Sequence, residues 1–139
     1  MAITMKAANF KLDDENDEWR AKLPRKLRTF FGKTITVTMD RLMPGQLKQP
    51  GKQDRQLLAR ILRDLPRILA RAVTEFEQYE LASDPSFAGR VANPQIWISC
   101  SEEGREDEWT FVVERSDHPD YGCHIEFKGT EFKEIWGGD

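Results

Sequence analysis

The stretch QDRQLLARILRDLPRILARAVTEFEQYEL, residues 53–81, carries the helical signal that decides the fold. Its apolar residues recur at intervals of three and four, the spacing of one helix face. These residues are Leu58, Ile61, Leu62, Leu65, Ile68, Leu69, Ala72, Val73 and Phe76. Pro66 interrupts the run, because proline cannot donate to the helical ladder and crowds the carbonyl group four residues back. We therefore predict one kinked helix, or two abutting helices divided near Asp64.

Segments in which polar and apolar residues alternate lie on both sides of this stretch, and alternation is typical of half-buried strands. Two such segments, residues 18–23 and 34–39, precede it, and a short extended piece spans residues 8–12. Four more follow in succession, at residues 95–100, 108–114, 122–127 and 130–136. A helix between β segments could be a parallel crossover, but four successive strands favour an antiparallel meander. The prediction is a single α+β domain, residues 1–139, with five or six antiparallel strands packed on the helix.

Length and composition limit the class of protein. A chain of 139 residues is one ordinary domain, and its four Trp and eight Phe exclude disorder of the whole chain. No apolar run approaches the roughly 18 residues of a membrane span, and the N-terminal sequence lacks a secretory leader, so we expect a cytoplasmic location without membrane contact. In that reducing compartment Cys100 and Cys123 are expected to be thiols rather than a disulfide.

The charges are segregated along the chain. Residues 18–72 carry 14 Lys and Arg against 4 Asp and Glu, whereas residues 73–139 carry 5 against 16. The near-neutral formal charge of −3 therefore conceals two opposed fields, which bear on the choice of partners rather than on the fold.

The basic half contains an arginine ladder, which we define as Arg60, Arg63, Arg67 and Arg71. At 100° per residue these side chains fall in one arc opposite the apolar face. Arginine suits bidentate contact with phosphate, so the ladder is a candidate nucleic-acid surface. The alternative is a solvated helix face with ion pairs at i, i+4, from Arg60 to Asp64 and from Arg71 to Glu75. No aromatic residue or base-reading motif accompanies the ladder, which favours the solvated face.

The acidic half offers a candidate protein-binding surface. With a two-residue turn at Lys128–Gly129, Glu126 stands opposite Glu131 and His124 opposite Lys133, although a bulge would change this register. Trp97 and Trp136 point away from the core if their apolar neighbours point inward. A tryptophan there could anchor a partner, or a second layer could bury it. Further carboxylates lie in the loop before residue 108: Glu102, Glu103, Glu106 and Asp107. The favoured partner is a protein with a basic surface.

Residues with ligand chemistry cluster only around Asp117, His118, Asp120, Cys123 and His124. Their spacing matches no zinc motif, and the run from Asp117 to Gly122 is typical of a turn with a glycine at positive φ. No nucleophile elbow or phosphate-binding loop occurs. We therefore expect no cofactor, no metal and no catalytic residues. A metal-dependent or carboxylate hydrolase ranks third, after a protein-binding domain and a nucleic-acid-binding protein.

Three runs carry a family resemblance: NFKLDDENDEW (residues 9–19), GKTITVTMD (32–40) and YGCHIEFKGTEFKEIW (121–136). Their order resembles small uncharacterised bacterial domains built as a strand pair, a helix and antiparallel strands. In those families a Phe-x-Leu-Asp segment precedes a tryptophan strand, as in residues 10–19 here. Some of them resemble immunity proteins encoded beside polymorphic toxins. Most of these families have no known activity, and the resemblance assigns no catalytic residues.

Overall fold

The protein, described here as a computed structural model for residues 5, 9–24, 29–41, 46–99 and 106–138, has an α+β fold. The helical stretch forms two abutting helices, α1 (Lys52–Arg63) and α2 (Leu65–Phe76), which meet at Asp64. A π-helical turn, Glu77–Leu81, continues α2, and a 3₁₀ segment, Pro85–Arg90, follows. Pro66 occupies the first turn of α2, where an N–H group has no helical acceptor and its loss costs little.

Seven strands of the described chain form the main sheet: β1 (Lys11–Asp13), β2 (Glu18–Lys22), β5 (Thr36–Asp40), β6 (Val91–Ile98), β7 (Glu108–Arg115), β8 (His118–Lys128) and β9 (Glu131–Gly138). Their order across the sheet is β1-β2-β5-β6-β7-β8-β9. A separate two-stranded hairpin consists of β3 (Thr29–Phe30) and β4 (Lys33–Thr34). Strands β6 to β9 form the meander expected from the four successive segments.

The prediction of five or six purely antiparallel strands is wrong. The sheet has seven strands, and β5 pairs with β6 in parallel, with Val37 beside Ile96. The two helices connect these neighbouring strands, and a helical crossover returns the chain so that the next strand runs in the same direction. Because alternation of polar and apolar residues is the same in parallel and antiparallel strands, the sequence pattern did not distinguish them.

The β3–β4 hairpin lies between β2 and β5 in the chain, where only Thr34 belonged to a predicted strand. Its turn residues, Phe31 and Gly32, both have positive φ, 47° and 78°. Positive φ at both central positions suits a tight hairpin, but phenylalanine is an unusual residue there. The hairpin buries Phe30 against Phe76 of α2, with ring centroids 5.6 Å apart.

The core fills the space between the helices and one face of the sheet. Every residue of the predicted apolar helix face is buried except Val73, which is half-buried. From the sheet, Ile96, Phe111 and Ile125 point into the same core. The helices thus cover one side of the sheet, and no helix of the described chain covers the other.

Candidate functional site: the uncovered face of the sheet

The side of the sheet opposite the helices, which we call the open face, is formed by alternate residues of β5 to β9. In each strand these residues lie between the core positions. They include Thr38 and Asp40 of β5, Gln95 and Trp97 of β6, Thr110, Val112 and Glu114 of β7, His124, Glu126 and Lys128 of β8, and Glu134 and Trp136 of β9, and the same side continues on β2 with Arg20.

Trp97 is one of two exposed tryptophans on the open face, a position that the strand alternation had left open. Its side chain is 37% exposed, and its Nε1–H donates a hydrogen bond to Oδ1 of Asp40 at 3.0 Å. Beneath it, the Thr38 hydroxyl donates to Oε1 of Gln95 at 2.9 Å. The polar end of the indole is therefore satisfied within the protein, and the exposed part of the ring is available for contact.

Trp136, the second exposed tryptophan, stacks on His124. The ring centroids are 3.9 Å apart and the ring planes differ by 7°. The indole Nε1–H donates to Oε2 of Glu126 at 2.6 Å, and the residue remains 41% exposed. Each tryptophan of the open face is thus tied to a carboxylate on a neighbouring strand.

A glycine pair makes room for this stack. Gly122 of β8 and Gly138 of β9 are cross-strand partners. A Cβ on Gly122 would lie 3.0 Å from Nε2 of His124, and a Cβ on Gly138 would lie 3.8 Å from Cζ3 of Trp136. The two rings therefore extend along their strands over the glycines, which a larger residue at position 122 would obstruct.

The turn predicted for residues 117–122 is wrong. Strand β7 continues to Arg115 and β8 already begins at His118, so the turn consists of Ser116 and Asp117. Gly122 has no positive φ. Gly122 makes room for the His124 ring and does not reverse the chain. This requirement arises from the His124–Trp136 stack, so the local sequence did not indicate it.

The predicted register of β8 and β9 is also wrong. Glu126 pairs with Glu134 rather than with Glu131, and His124 pairs with Trp136 rather than with Lys133. The turn consists of Gly129, at φ 59°, and the residue after it, and a bulge then shifts β9 by one residue. Two carboxylates are therefore directly opposed, as predicted, but the residue opposite Glu126 is Glu134 instead of Glu131.

Two of the remaining residues predicted for the protein partner, Glu131 and Asp107, contact the helices instead of contributing to the open face. Glu131 lies 3.8 Å from Arg67 of α2, and Asp107 forms an ion pair with Arg60 of α1 at 3.0 Å. Glu106 is exposed in the turn before β7. Glu102 and Glu103 lie outside the described residues, as does Cys100.

Burial and neighbouring charge act in opposite directions on the titration of His124. Burial lowers the pKa of its imidazole, whereas the nearby Glu126 carboxylate partly offsets that decrease. On the adjoining strand β7, burial raises the pKa of Glu114, and a hydrogen bond with Asn93 opposes that change. The open face therefore carries a histidine that resists protonation next to carboxylates.

The candidate metal ligands do not converge. Cys123 is a buried free thiol on the core side of β8, whereas the next residue, His124, lies on the open face. His118 is exposed at the start of the same strand. Among the described residues no group of three or more His, Cys, Asp or Glu side chains could hold a metal ion.

Glu80 is a buried carboxylate that sequence reasoning missed. It lies in the π-helical turn after α2 and accepts a hydrogen bond from the Tyr121 hydroxyl at 2.7 Å. Burial and the Glu80 carboxylate raise the pKa of the Cys123 thiol, so this thiol is held protonated rather than activated as a nucleophile. The π-helical turn that places Glu80 left no recognisable signal in the sequence.

The arginine ladder is largely neutralised by carboxylates. Arg71 pairs with Glu75 at 2.9 Å, as predicted, and Arg67 pairs with Asp64 and approaches Glu131. The predicted contact from Arg60 to Asp64 is replaced by the contact with Asp107. Within the ladder, only Arg63 forms no ion pair with another described residue.

None of the helices in the described part of the chain is long and apolar enough to span a membrane. Comparison with known proteins finds no family model, no curated protein and no solved structure that matches the chain.

Proposed function

We propose that the chain is a non-catalytic protein-binding domain that presents its open face to a partner with a basic surface. The observation that carries this proposal is the presence of two exposed tryptophans, Trp97 and Trp136, on one uncovered sheet face. Each indole is already hydrogen-bonded to a carboxylate. Tryptophans held in one orientation are effective anchors, because little side-chain freedom remains to be lost on binding.

The carboxylates beside the two indoles, rather than the charge of the whole face, support a basic partner, since Lys128 and Arg20 also lie on this side. Asp40, Glu126 and Glu134 surround the two indoles, and Glu126 and Glu134 are directly opposed in the register. Like charges in direct opposition destabilise a sheet, and a cationic partner would relieve this repulsion. A toxin with a basic surface fits this chemistry, in keeping with the resemblance to immunity proteins.

The alternative, nucleic-acid binding through the arginine ladder, has less support. Three of its four guanidinium groups are engaged by carboxylates of the protein itself. Phosphate would have to displace these partners, which reduces the gain from counterion release. A hydrolase has less support still, since burial and the neighbouring Glu80 carboxylate raise the pKa of the Cys123 thiol, which disfavours the nucleophilic thiolate.

Affinity capture from the source cell tests the proposal with two matched variants. The open-face variant combines Trp97→Ala and Trp136→Ala, and the control variant combines Arg63→Gln and Arg71→Gln on the helix side. We expect the wild type and the control to retain the same partner, and the open-face variant to bind it about tenfold or more weakly. Equal retention by folded open-face variant and wild type would contradict the proposal, as would selective loss in the control.

A further inference from the structure

We propose that the β9 end of the open face binds an arginine side chain of the partner, stacked on Trp136 and bonded to the carboxylates of Glu126 and Glu134. This inference rests on the proposed function and specifies which chemical group of the partner that function recognises. Three observations support it. One face of the Trp136 ring is free, the carboxylates of Glu126 and Glu134 have no cationic partner among the described residues, and Trp136 lies on the last strand of the sheet.

One face of the Trp136 ring is available for stacking. His124, on the adjacent strand β8, covers the ring face directed toward the sheet interior at a centroid distance of 3.9 Å. Because β9 is the last strand of the sheet, the opposite ring face is directed past the edge. No other aromatic ring and no cation among the described residues contacts this indole. An indole face is the best aromatic acceptor for a cation.

The carboxylates beside this indole have no cationic partner within the described chain. Glu126 accepts the Trp136 Nε1–H at 2.6 Å and forms no ion pair there. Glu134, its cross-strand partner, is exposed and has neither a hydrogen bond nor an ion pair with a described residue. The nearby Lys133 is engaged by Glu108. Two opposed negative charges next to an open indole are complementary to a single planar cation.

Arginine fits this arrangement better than lysine does. Its guanidinium group is planar, stacks on an aromatic face and donates several hydrogen bonds in its own plane, so one group can contact the indole and carboxylates together. An ammonium group is a more strongly hydrated point charge and cannot stack. The indole N–H bond to Glu126 orients the ring before binding, which reduces the entropy lost on contact.

Titration with short peptides tests the site independently of any natural partner. Three peptides, Gly-Arg-Gly-Arg-Gly, Gly-Lys-Gly-Lys-Gly and the citrulline counterpart of the first, are added to ¹⁵N-labelled full-length protein. The spectrum of Trp136→Phe assigns the Trp136 indole N–H signal. We expect the arginine peptide to shift this signal, the lysine peptide to bind more weakly and the citrulline peptide not to bind. Glu134→Gln should weaken arginine binding about two- to fivefold, the scale of one exposed ion pair.

Glu131→Gln is the matched control. Like Glu134, Glu131 belongs to β9, but its carboxylate faces Arg67 rather than Trp136. Its affinity for the arginine peptide should equal that of the wild type. Equal binding of the citrulline peptide, or shifts centred on Trp97, would overturn the arginine site. If the captured partner requires Trp136 but is indifferent to Glu134→Gln and the protein shows no preference for arginine, the proposed function stands and this inference fails.

Discussion

At the scale of single residues, the open face owes its order to hydrogen bonds that use the polar ends of its aromatic side chains. Trp97 donates to Asp40 and Trp136 donates to Glu126, so neither N–H has to be satisfied by a partner. A carboxylate acceptor makes such a bond stronger than a neutral one. Both indoles therefore present ring surface rather than polar groups, and contact with them buries apolar area without an unsatisfied donor.

His124 should make the stability of the protein depend on pH. Burial lowers its pKa below the ordinary value of 6.5, so the unfolded chain takes up a proton at higher pH than the folded protein does. The free energy of unfolding should therefore increase as the pH is raised toward 6.5, and acidification should reverse this increase. Urea denaturation across about pH 5 to 7, the range where histidine titrates, measures this slope.

His124→Gln should remove the contribution of His124 to the increase of the free energy of unfolding with pH. His118→Gln is the control, because it removes an exposed histidine from the same strand. Glu114 acts in the opposite direction at lower pH, since burial raises its pKa and the folded state then holds the proton more tightly. Comparing each variant with the wild type at the same pH cancels this contribution. Identical slopes in the two histidine variants would show that burial of His124 does not govern the effect.

At the scale of secondary-structure elements, the position of β9 depends on contacts from the helical side. The backbone N–H of Gly137 donates to the Tyr79 hydroxyl at 3.2 Å. The Tyr121 hydroxyl occupies the space that a side chain at position 137 would need, and it donates to the buried Glu80. The residue that precedes Gly137 is Trp136, so the helical side fixes the backbone that carries one of the two anchors.

Gly137→Ala should therefore destabilise the protein by about 1–3 kcal/mol, the usual cost of overpacking. Its Cβ would lie 1.9 Å from the Tyr121 hydroxyl oxygen, and that side chain is held by Glu80. Gly138→Ala is the control, because the nearest atom to its Cβ is 3.8 Å away. Chemical denaturation of both variants and of Gly137→Ala combined with Tyr121→Phe checks the mechanism. The double variant should recover part of the loss, and equal stability of the two alanine variants would contradict this account.

The same strand shows what the sequence could and could not predict. Alternation in residues 122–127 and 130–136 predicted both strands, but it left open whether Trp136 points outward. It did not locate the bulge near Lys133, because a bulge inserts one residue without changing the composition of the strand. Because the turn also lies at residues 129–130 rather than 128–129, turn and bulge together make Glu134 rather than Glu131 the residue opposite Glu126. The His124–Trp136 stack depends on Gly122 and Gly138 lying side by side, which only the correct register reveals.

At the scale of the whole molecule, folding brings the two oppositely charged halves of the chain together. Arg60 of the basic half meets Asp107 of the acidic half, and Arg67 approaches Glu131. These contacts connect the helices to the turns at one end of the sheet. They are exposed ion pairs, which contribute little to stability individually. They nevertheless compensate much of the field of the arginine ladder, whereas Glu126 and Glu134 on the open face stay without a cation among the described residues.

Nucleic-acid binding is therefore expected to be absent at physiological salt, even though residues 18–72 carry a net positive charge. A surface that used the ladder would lose affinity steeply with salt, in proportion to the number of phosphates it neutralises. Binding of fluorescent single-stranded and duplex DNA, measured at several salt concentrations, tests this expectation. The quadruple variant Arg60→Gln, Arg63→Gln, Arg67→Gln and Arg71→Gln is compared with Glu126→Gln combined with Glu134→Gln. A submicromolar complex at physiological salt that the quadruple variant alone abolishes would replace the open face with the arginine ladder as the functional surface.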